Sequence, residues 1–142
     1  MLREAVDFVK DYHGYADGRI TTLLGPHAVF SCGEELLARV REKACKLGVG
    51  IHIHIAESKE MADKVRSESG FTEVGLLERL GFLDKDLLAA HCIHLTQKDM
   101  ATLARRGVKV AHNPVANMKL VQGVAKRSWK RRRELPMVCC GV

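Results

Sequence analysis

The sequence predicts an α/β fold in which a parallel sheet is packed against helices. Predicted helices and strands alternate about three and a half times along the chain, and the helices between strands are long enough to form crossover connections. Each predicted strand is a short run rich in β-branched or aliphatic residues. The chain has 142 residues, of which 46% are hydrophobic, so it has room for one domain with a buried core.

The first half of the chain holds two predicted helices and two predicted strands. Apolar residues at helical spacing predict a helix over 2–12, and the run RITTLL predicts a strand over 19–24. Ser31 has the position of an N-cap with a capping-box glutamate three residues later, and Gly48 ends the helix that follows. The apolar run VGIHIHIA predicts the next strand, over 49–56.

The second half repeats this order. A helical region over 59–80 is interrupted near Gly70 and leads to a strand over 86–93. Thr96 begins a capping-box sequence and therefore the next helix. The run VKVAHNP, over 108–114, predicts the fourth strand, which its proline closes.

Cysteine usage and hydropathy bear on the compartment. The five cysteines are odd in number and form no C-x-x-C pair, so they indicate neither a disulfide framework nor a cysteine zinc site. No apolar run approaches the roughly 18 residues of a membrane span, and the N-terminal residues lack the apolar core of a secretory signal. We therefore expect a cytoplasmic protein without a membrane partner.

The net charge of +6 comes from one short segment. Residues 126–133, KRSWKRRR, hold six of the 23 basic residues and no acid, so the other 17 basic residues balance the 17 acidic ones. We expect 1–125 to form the folded domain and 126–142 to be an atypical basic tail that is disordered or out of register with it. Clustered cations could bind phosphates. No nucleic-acid-binding motif accompanies them, so nucleic acid is not an expected partner.

Histidines mark the carboxyl ends of the predicted strands. In parallel α/β folds these ends lie on one face, which in barrels carries the chemistry. A lone histidine at a strand end is more often structural, but histidines after four separate strands favour a shared site. Six of the seven histidines have such positions: His27, His52, His54, His91, His94 and His112.

The spacing of these residues indicates metal chemistry. His52 and His54 are two apart in a strand and point to the same side, so one strand could offer two imidazoles to a metal. His91 and His94 are three apart, so only one of them can face the site, and we favour His91. Imidazole suits zinc, iron or nickel, whereas Glu57 suits proton transfer. The pattern predicts metal-assisted hydrolysis with a metal-bound water as nucleophile.

Four motifs then identify a resemblance. LLGPHAVFSC, IHIHIAES, LAAHCIHL and VAHNPVANMKL, in this order over about residues 20–125, resemble the amidohydrolase superfamily. The likeness is greatest to methylthioadenosine and S-adenosylhomocysteine deaminases and related chlorohydrolases. It implies a partial (β/α)8 TIM barrel, with these motifs at strands four to seven. It also implies a hydrolase of C–N or C–Cl bonds that uses one divalent metal ion, zinc or iron.

The resemblance assigns a role to each matching residue. His54 resembles the strand-five metal ligand, and Glu57 resembles the acid that shuttles a proton to the substrate ring. His91 resembles the histidine that orients the metal-bound hydroxide, and His27 resembles one that contacts the substrate. The implied reaction is hydrolytic deamination of an aminopurine nucleoside or related aromatic amine by metal-activated water.

Other residues of the motifs are assigned supporting roles. His52 then reads as a packed residue of the inner layer rather than a second ligand. Asn113 and Asn117 match the turn after strand seven, where we expect backbone shape to be the reason for the motif. His94 and His112 are expected to support or line the pocket.

The sequence departs from the family pattern in its metal ligands. No H-x-H motif precedes His27, and no GTDG-like segment follows to supply an aspartate, so one of the four usual ligands is present. We therefore expect the isolated monomer to be inactive. The alternative is a non-catalytic half-barrel that forms a homodimer through open sheet edges or pairs with another chain.

Overall fold

A single parallel sheet organises the protein. The computed structural model describes residues 1–123 and the strand at 137–139. Four strands lie in the order β1-β2-β3-β4, and each neighbouring pair is parallel. This agrees with the expected parallel α/β fold. The elements in chain order are α1 Leu2–Tyr12, α2 Glu34–Leu47, β1 Ile51–Ile55, α3 Lys59–Ser69, α4 Glu73–Arg79, β2 Leu87–His91, α5 Gln97–Arg105, β3 Lys109–His112, α6 Pro114–Lys119 and β4 Met137–Cys139.

Local sequence signals set most helix boundaries. The left-handed Gly48 ends α2, and the left-handed Gly70 separates α3 from α4, as the sequence predicts. The hydroxyl of Thr96 accepts from the Asp99 N–H, and the Asp99 carboxylate accepts from the Thr96 N–H, so the capping box of α5 is complete. The Ser31 prediction is wrong: Gly33 is the N-cap of α2, and no side chain caps that helix.

The prediction of a strand over 19–24 is also wrong. Leu24 and Ala28 form only isolated parallel bridges with β1. Pro26 lies between them and has no N–H to donate, which prevents a continuous ladder. The segment lies beside β1 as an extended but interrupted edge, and the strands predicted over 49–56, 86–93 and 108–114 are confirmed.

The core lies between the sheet and the helices. Alternate residues of β1, namely Ile51, Ile53 and Ile55, are buried, whereas His52 and His54 point to the opposite, half-buried face. Phe82 and Leu77 are fully buried against the same layer. Burying one such side chain stabilises the fold by roughly 1.5–3 kcal/mol. The isoleucines thus fix which face of β1 carries histidine.

Gly50 permits close approach of the chain before β1. A Cβ atom there would lie 2.6 Å from the Asp86 carbonyl oxygen and 2.9 Å from Leu23 Cδ2. That carbonyl accepts the Ile51 N–H, so any shift disturbs the first pairing of β1 with β2. We expect Gly50→Ala to lower the free energy of unfolding in urea by about 1–3 kcal/mol. Gly25→Ala is the control, because nothing lies within 4 Å of a Cβ there, and equal losses would contradict the prediction.

The expected basic tail falls mainly outside the described residues. Of 126–142 the structure describes only β4, whose backbone pairs with β3 from Val110↔Met137 to His112↔Cys139. The boundary at residue 125 therefore stays a prediction. Within the described part of the chain, none of the helices combines the length and apolar character required to cross a membrane.

Candidate active site

The backbone is strained where the chain leaves β1 and β2 at their carboxyl ends. Ala56 has φ 49°, His91 has φ 66° and Cys92 has φ 52°, all in the left-handed region. Non-glycine residues there cost free energy and persist where surrounding contacts hold them, commonly at functional sites. These strand ends therefore turn in a way that only a well-anchored structure maintains.

Four histidines meet beside these turns. The ring centroid of His54 lies 5.3 Å from that of His27, 5.3 Å from that of His91 and 6.1 Å from that of His52. The structure thus brings together histidines from the segment before β1, from β1 and from β2. Glu57 lies at the same place, with Oε1 3.4 Å from His91 Nε2.

The other two predicted histidines, His94 and His112, have different surroundings. The Nε2 atom of His94 bonds the Gln122 carbonyl at 3.0 Å. The Nδ1 atom of His112 is buried and finds no hydrogen-bond partner among the described residues. The structure therefore places His91 beside Glu57, and the preference for His91 over His94 as the site residue stays a prediction.

The hydrogen bonds of His54 fix its tautomer. Its Nδ1 lies 2.6 Å from the His27 carbonyl oxygen, which can only accept, so Nδ1 carries the proton. The Nε2 lone pair is thereby left for a metal ion, which is the arrangement of a metal-binding histidine with a carbonyl behind it.

His91 is oriented in the same manner. Its Nδ1 donates to Asn117 Oδ1 at 2.6 Å, so its Nε2 carries a lone pair, which lies 3.4 Å from Glu57 Oε1 and can accept from a water molecule or a protonated carboxyl there. The Nδ2 atom of Asn113 lies 3.5 Å from the same Nε2. His91 and Asn117 are both buried, so water does not compete for this contact.

Asn117 corrects a sequence expectation. We expected backbone shape to explain this residue, but its side chain orients His91. Pro114 opens α6, and the i,i+4 spacing of Asn113 and Asn117 lets both side chains reach the same ring. That helical spacing is the signal by which the sequence could have revealed the contact.

Removing the Asn117 amide should release the His91 ring. In Asn117→Ala the Nδ1–H loses its acceptor inside the fold, which should lower the free energy of unfolding by about 1–3 kcal/mol. The imidazole ¹⁵N chemical shifts of His91 should change from one Nδ1–H tautomer to a mixture. Asn117→Asp keeps an acceptor and should keep the tautomer. A single unchanged tautomer in Asn117→Ala would contradict this account.

The remaining groups near the cluster differ in environment. Burial, followed by the charges of His54 and His91, lowers the pKa of His52, whose Nε2 has no partner within the described structure. His27 is more open: its Nδ1 lies 2.8 Å from Ser31 Oγ, and its ring meets Phe30 edge-on at 5.7 Å. His27 is therefore available to contact a bound molecule.

The donor set fits a metal ion only in part. Within residues 1–123, no group of three or more His, Cys, Asp or Glu side chains is arranged to hold a metal. His54 has the protonation and backing of a ligand, but tight zinc sites normally use three or four protein ligands. The described residues therefore supply one metal ligand, His54.

Comparisons with known proteins identify the family of this chain. Residues 2–129 match the model of the amidohydrolase family. The 5-methylthioadenosine/S-adenosylhomocysteine deaminase of Moorella thermoacetica is 50% identical over 124 residues, which are 87% of this chain and 29% of the relative. The 5'-deoxyadenosine deaminase of Methanosarcina barkeri is 48% identical over 124 residues, with the same coverage of 87% and 29%.

Solved structures show the same partial barrel. An adenosine deaminase from Xanthomonas campestris with bound zinc superposes with TM-score 0.89 at 27% identity, covering 97% of this chain and 31% of its own. Atrazine chlorohydrolase from Arthrobacter aurescens, complexed with zinc, gives TM-score 0.88 at 21% identity, covering 97% of this chain and 30% of its own, and shares the fold. The chain spans less than a third of the length of these proteins. By its matched span and its identity to these relatives, the chain belongs to the amidohydrolase family.

Proposed function

We propose that this chain forms part of a metal-dependent amidohydrolase that deaminates an aminopurine nucleoside or a related aromatic amine by hydrolysis. The carrying observation is the contact of Glu57 with His91 Nε2 beside a His54 whose own Nε2 is free. An acid–base pair next to a metal-ligand imidazole suits hydrolysis of a polar bond. Two relatives, a 5-methylthioadenosine/S-adenosylhomocysteine deaminase and a 5'-deoxyadenosine deaminase, support the substrate class.

His54 would hold the divalent ion, zinc or iron, together with ligands outside the described residues. When bound, the ion would lower the pKa of a water molecule and so supply a nucleophile near neutral pH. The Xanthomonas adenosine deaminase and the Arthrobacter chlorohydrolase both contain zinc, which supports this choice of metal. A single imidazole holds zinc weakly, so we expect little metal on the isolated chain.

Glu57 and His91 would move and direct the protons. His91 Nε2, acting as an acceptor, would orient the attacking water toward the carbon that bears the amine. Glu57 would take a proton from that water and give it to the adjacent ring nitrogen. The second proton of the same water would pass to the amine, which leaves as ammonia when the C–N bond breaks, and the water oxygen would remain on the ring as a carbonyl. His27, open to solvent, would contact the substrate.

Complementation tests this proposal. The full 142-residue chain would be co-expressed with the two segments of the Moorella relative that flank its aligned region, and the product is called the complemented complex below. With zinc and methylthioadenosine, we expect ammonia release from this complex and none from the isolated chain. A folded, zinc-loaded complex that releases no ammonia would overturn the proposal.

A second function, self-association as a half-barrel, is favoured by the inner face of the sheet. His52, His54 and Leu88 lie on that face and are only half-buried. Two copies could cover these faces and pair their sheet edges in a two-fold homodimer. Size-exclusion chromatography with light scattering tests this, and a metal-free monomer would exclude it.

We also propose a cytoplasmic location. Cys32, Cys45 and Cys92 are free thiols, which suits a reducing compartment. Burial raises the pKa of the Cys92 thiol, so this group is protected from reaction. Fractionation of the host cell, with detection of the untagged chain, tests the location.

A further inference from the structure

A buried carboxylate lies directly behind the candidate site. Glu73, the first residue of α4, is only 4% exposed. Its Oε2 accepts the Ala56 N–H at 2.9 Å. None of the roles described above uses this residue. A carboxylate at this depth carries a desolvation cost, so its retention requires a specific contact.

Both the N–H and the carbonyl of Ala56 are hydrogen-bonded. Besides the bond from its N–H to Glu73, its carbonyl accepts from the Ile93 N–H at 3.0 Å and from the His94 N–H at 2.9 Å. These bonds maintain its left-handed φ of 49°, which alanine adopts only at a cost. Glu57 is the next residue, so the conformation of Ala56 decides where the Glu57 side chain begins.

Hydrogen bonds of the N-cap residue Thr72 hold the start of α4 in place. The Thr72 hydroxyl caps α4 by accepting from the Gly75 N–H, and it donates to Asp99 Oδ1 at 2.6 Å. Asp99 in turn belongs to the capping box of α5. Two helix starts therefore hold Glu73 in place, and Glu73 holds Ala56.

We propose that Glu73 is a positioning residue, which holds the left-handed turn at Ala56 so that Glu57 meets His91 Nε2. Glu73 acts as a hydrogen-bond acceptor at a set distance and does not touch the substrate. The expected effect of Glu73 on the reaction rate rests on the proposed function. Its effect on the position of Glu57 follows from the contacts of this chain and does not depend on that function.

Three substitutions of Glu73 distinguish the length of its side chain from its charge and its volume. Glu73→Gln keeps a side-chain oxygen at the same distance. Glu73→Met keeps the volume but has no acceptor, and Glu73→Asp keeps the carboxylate but shortens its reach by one methylene. Glu60→Gln is the matched control, because Glu60 is an exposed carboxylate in the first turn of α3.

The geometric test uses NMR on the full 142-residue chain. In the wild type and in Glu73→Gln we expect slow hydrogen exchange at the Ala56 amide and a nuclear Overhauser effect between the Glu57 side chain and the His91 ring. In Glu73→Met and Glu73→Asp we expect both to be lost while signals from the rest of the sheet persist. If Glu73→Met fails to fold, Glu73→Asp decides. If folded Glu73→Met or Glu73→Asp keeps the nuclear Overhauser effect between Glu57 and His91, the proposal is overturned.

The kinetic test uses the complemented complex. Glu73→Met and Glu73→Asp should lower kcat about 10–100-fold with little change in KM, because the lost orientation matters in the transition state. Glu73→Gln should restore most of the rate, and Glu60→Gln should leave it unchanged. Equal kcat in Glu73→Met and wild type would overturn the positioning role. If the wild-type complex itself is inactive, the proposed function fails, and the NMR result alone decides the geometry.

Discussion

Glu57→Gln is expected to lower kcat of the complemented complex about 10²–10⁴-fold, which is the usual contribution of a positioned acid–base group. Glutamine has the size of glutamate and can still lie beside His91, but it cannot carry a proton to the substrate. Among the described contacts, His54 bonds the His27 carbonyl and not Glu57, so metal binding by His54 should persist and zinc content should not fall. Steady-state ammonia release and metal analysis of the same preparation give the two measurements.

The control for this prediction is Glu60→Gln, three residues along the chain. Glu60 is exposed at the start of α3, so the substitution removes one negative charge from the neighbourhood without touching His91. Its kcat should remain within about threefold of the wild type, because an exposed charge at that distance is screened. Equal losses in both variants would assign the effect to net charge rather than to proton transfer.

The parts of the fold that depend on local chemistry could be predicted from the sequence. Glycine after a helix and threonine before one act through their own backbone and side chain, so Gly48, Gly70 and Thr96 mark real boundaries. The run IHIHI gave both the position of β1 and the face on which His54 lies, because alternation in a strand has a fixed period.

Features that depend on contacts distant in sequence could not be predicted. The segment over 19–24 has the composition of a strand, but the proline after it limits its pairing to isolated bridges. The left-handed turns at Ala56 and His91 were not predicted, because positive φ is uncommon in residues other than glycine and neither turn contains a glycine. The bond from Ala56 to Glu73 spans 17 residues and joins a loop to a helix, which no periodicity encodes.

Burial gives Glu73 a second measurable consequence, on stability. Loss of solvation is the largest cause that raises the pKa of Glu73 to about 7, the nearby Asp99 and Glu57 charges add to it, and the Ala56 amide opposes it. Glu73 and Asp99 line a cavity of about 450 Å³, and the other charged or titratable groups that line it are Lys59, Asp63, Arg66 and His94. The ordinary value is 4.5, so between pH 4.5 and about 7 the folded state holds a proton that the unfolded state has released.

This difference should make the wild type lose stability as the pH rises. Folding favours the protonated carboxyl, so the contribution of Glu73 is fully present below pH 4.5 and is lost as the pH rises through about 7, by about 3 kcal/mol in total. Glu73→Gln keeps the acceptor for Ala56 and has no charge to bury. The free energy of unfolding of Glu73→Gln should therefore match that of the wild type near pH 4.5 and exceed it by up to about 3 kcal/mol at pH 8.

Urea unfolding of both chains at pH 4.5, 6, 7 and 8 measures the difference directly. Taking the difference between variants cancels the titration of every other group that the substitution leaves unchanged, including the histidines. Glu60→Gln again serves as the control, and its difference from the wild type should show no comparable rise over this range. A constant difference for Glu73→Gln across this range would contradict the raised pKa of Glu73.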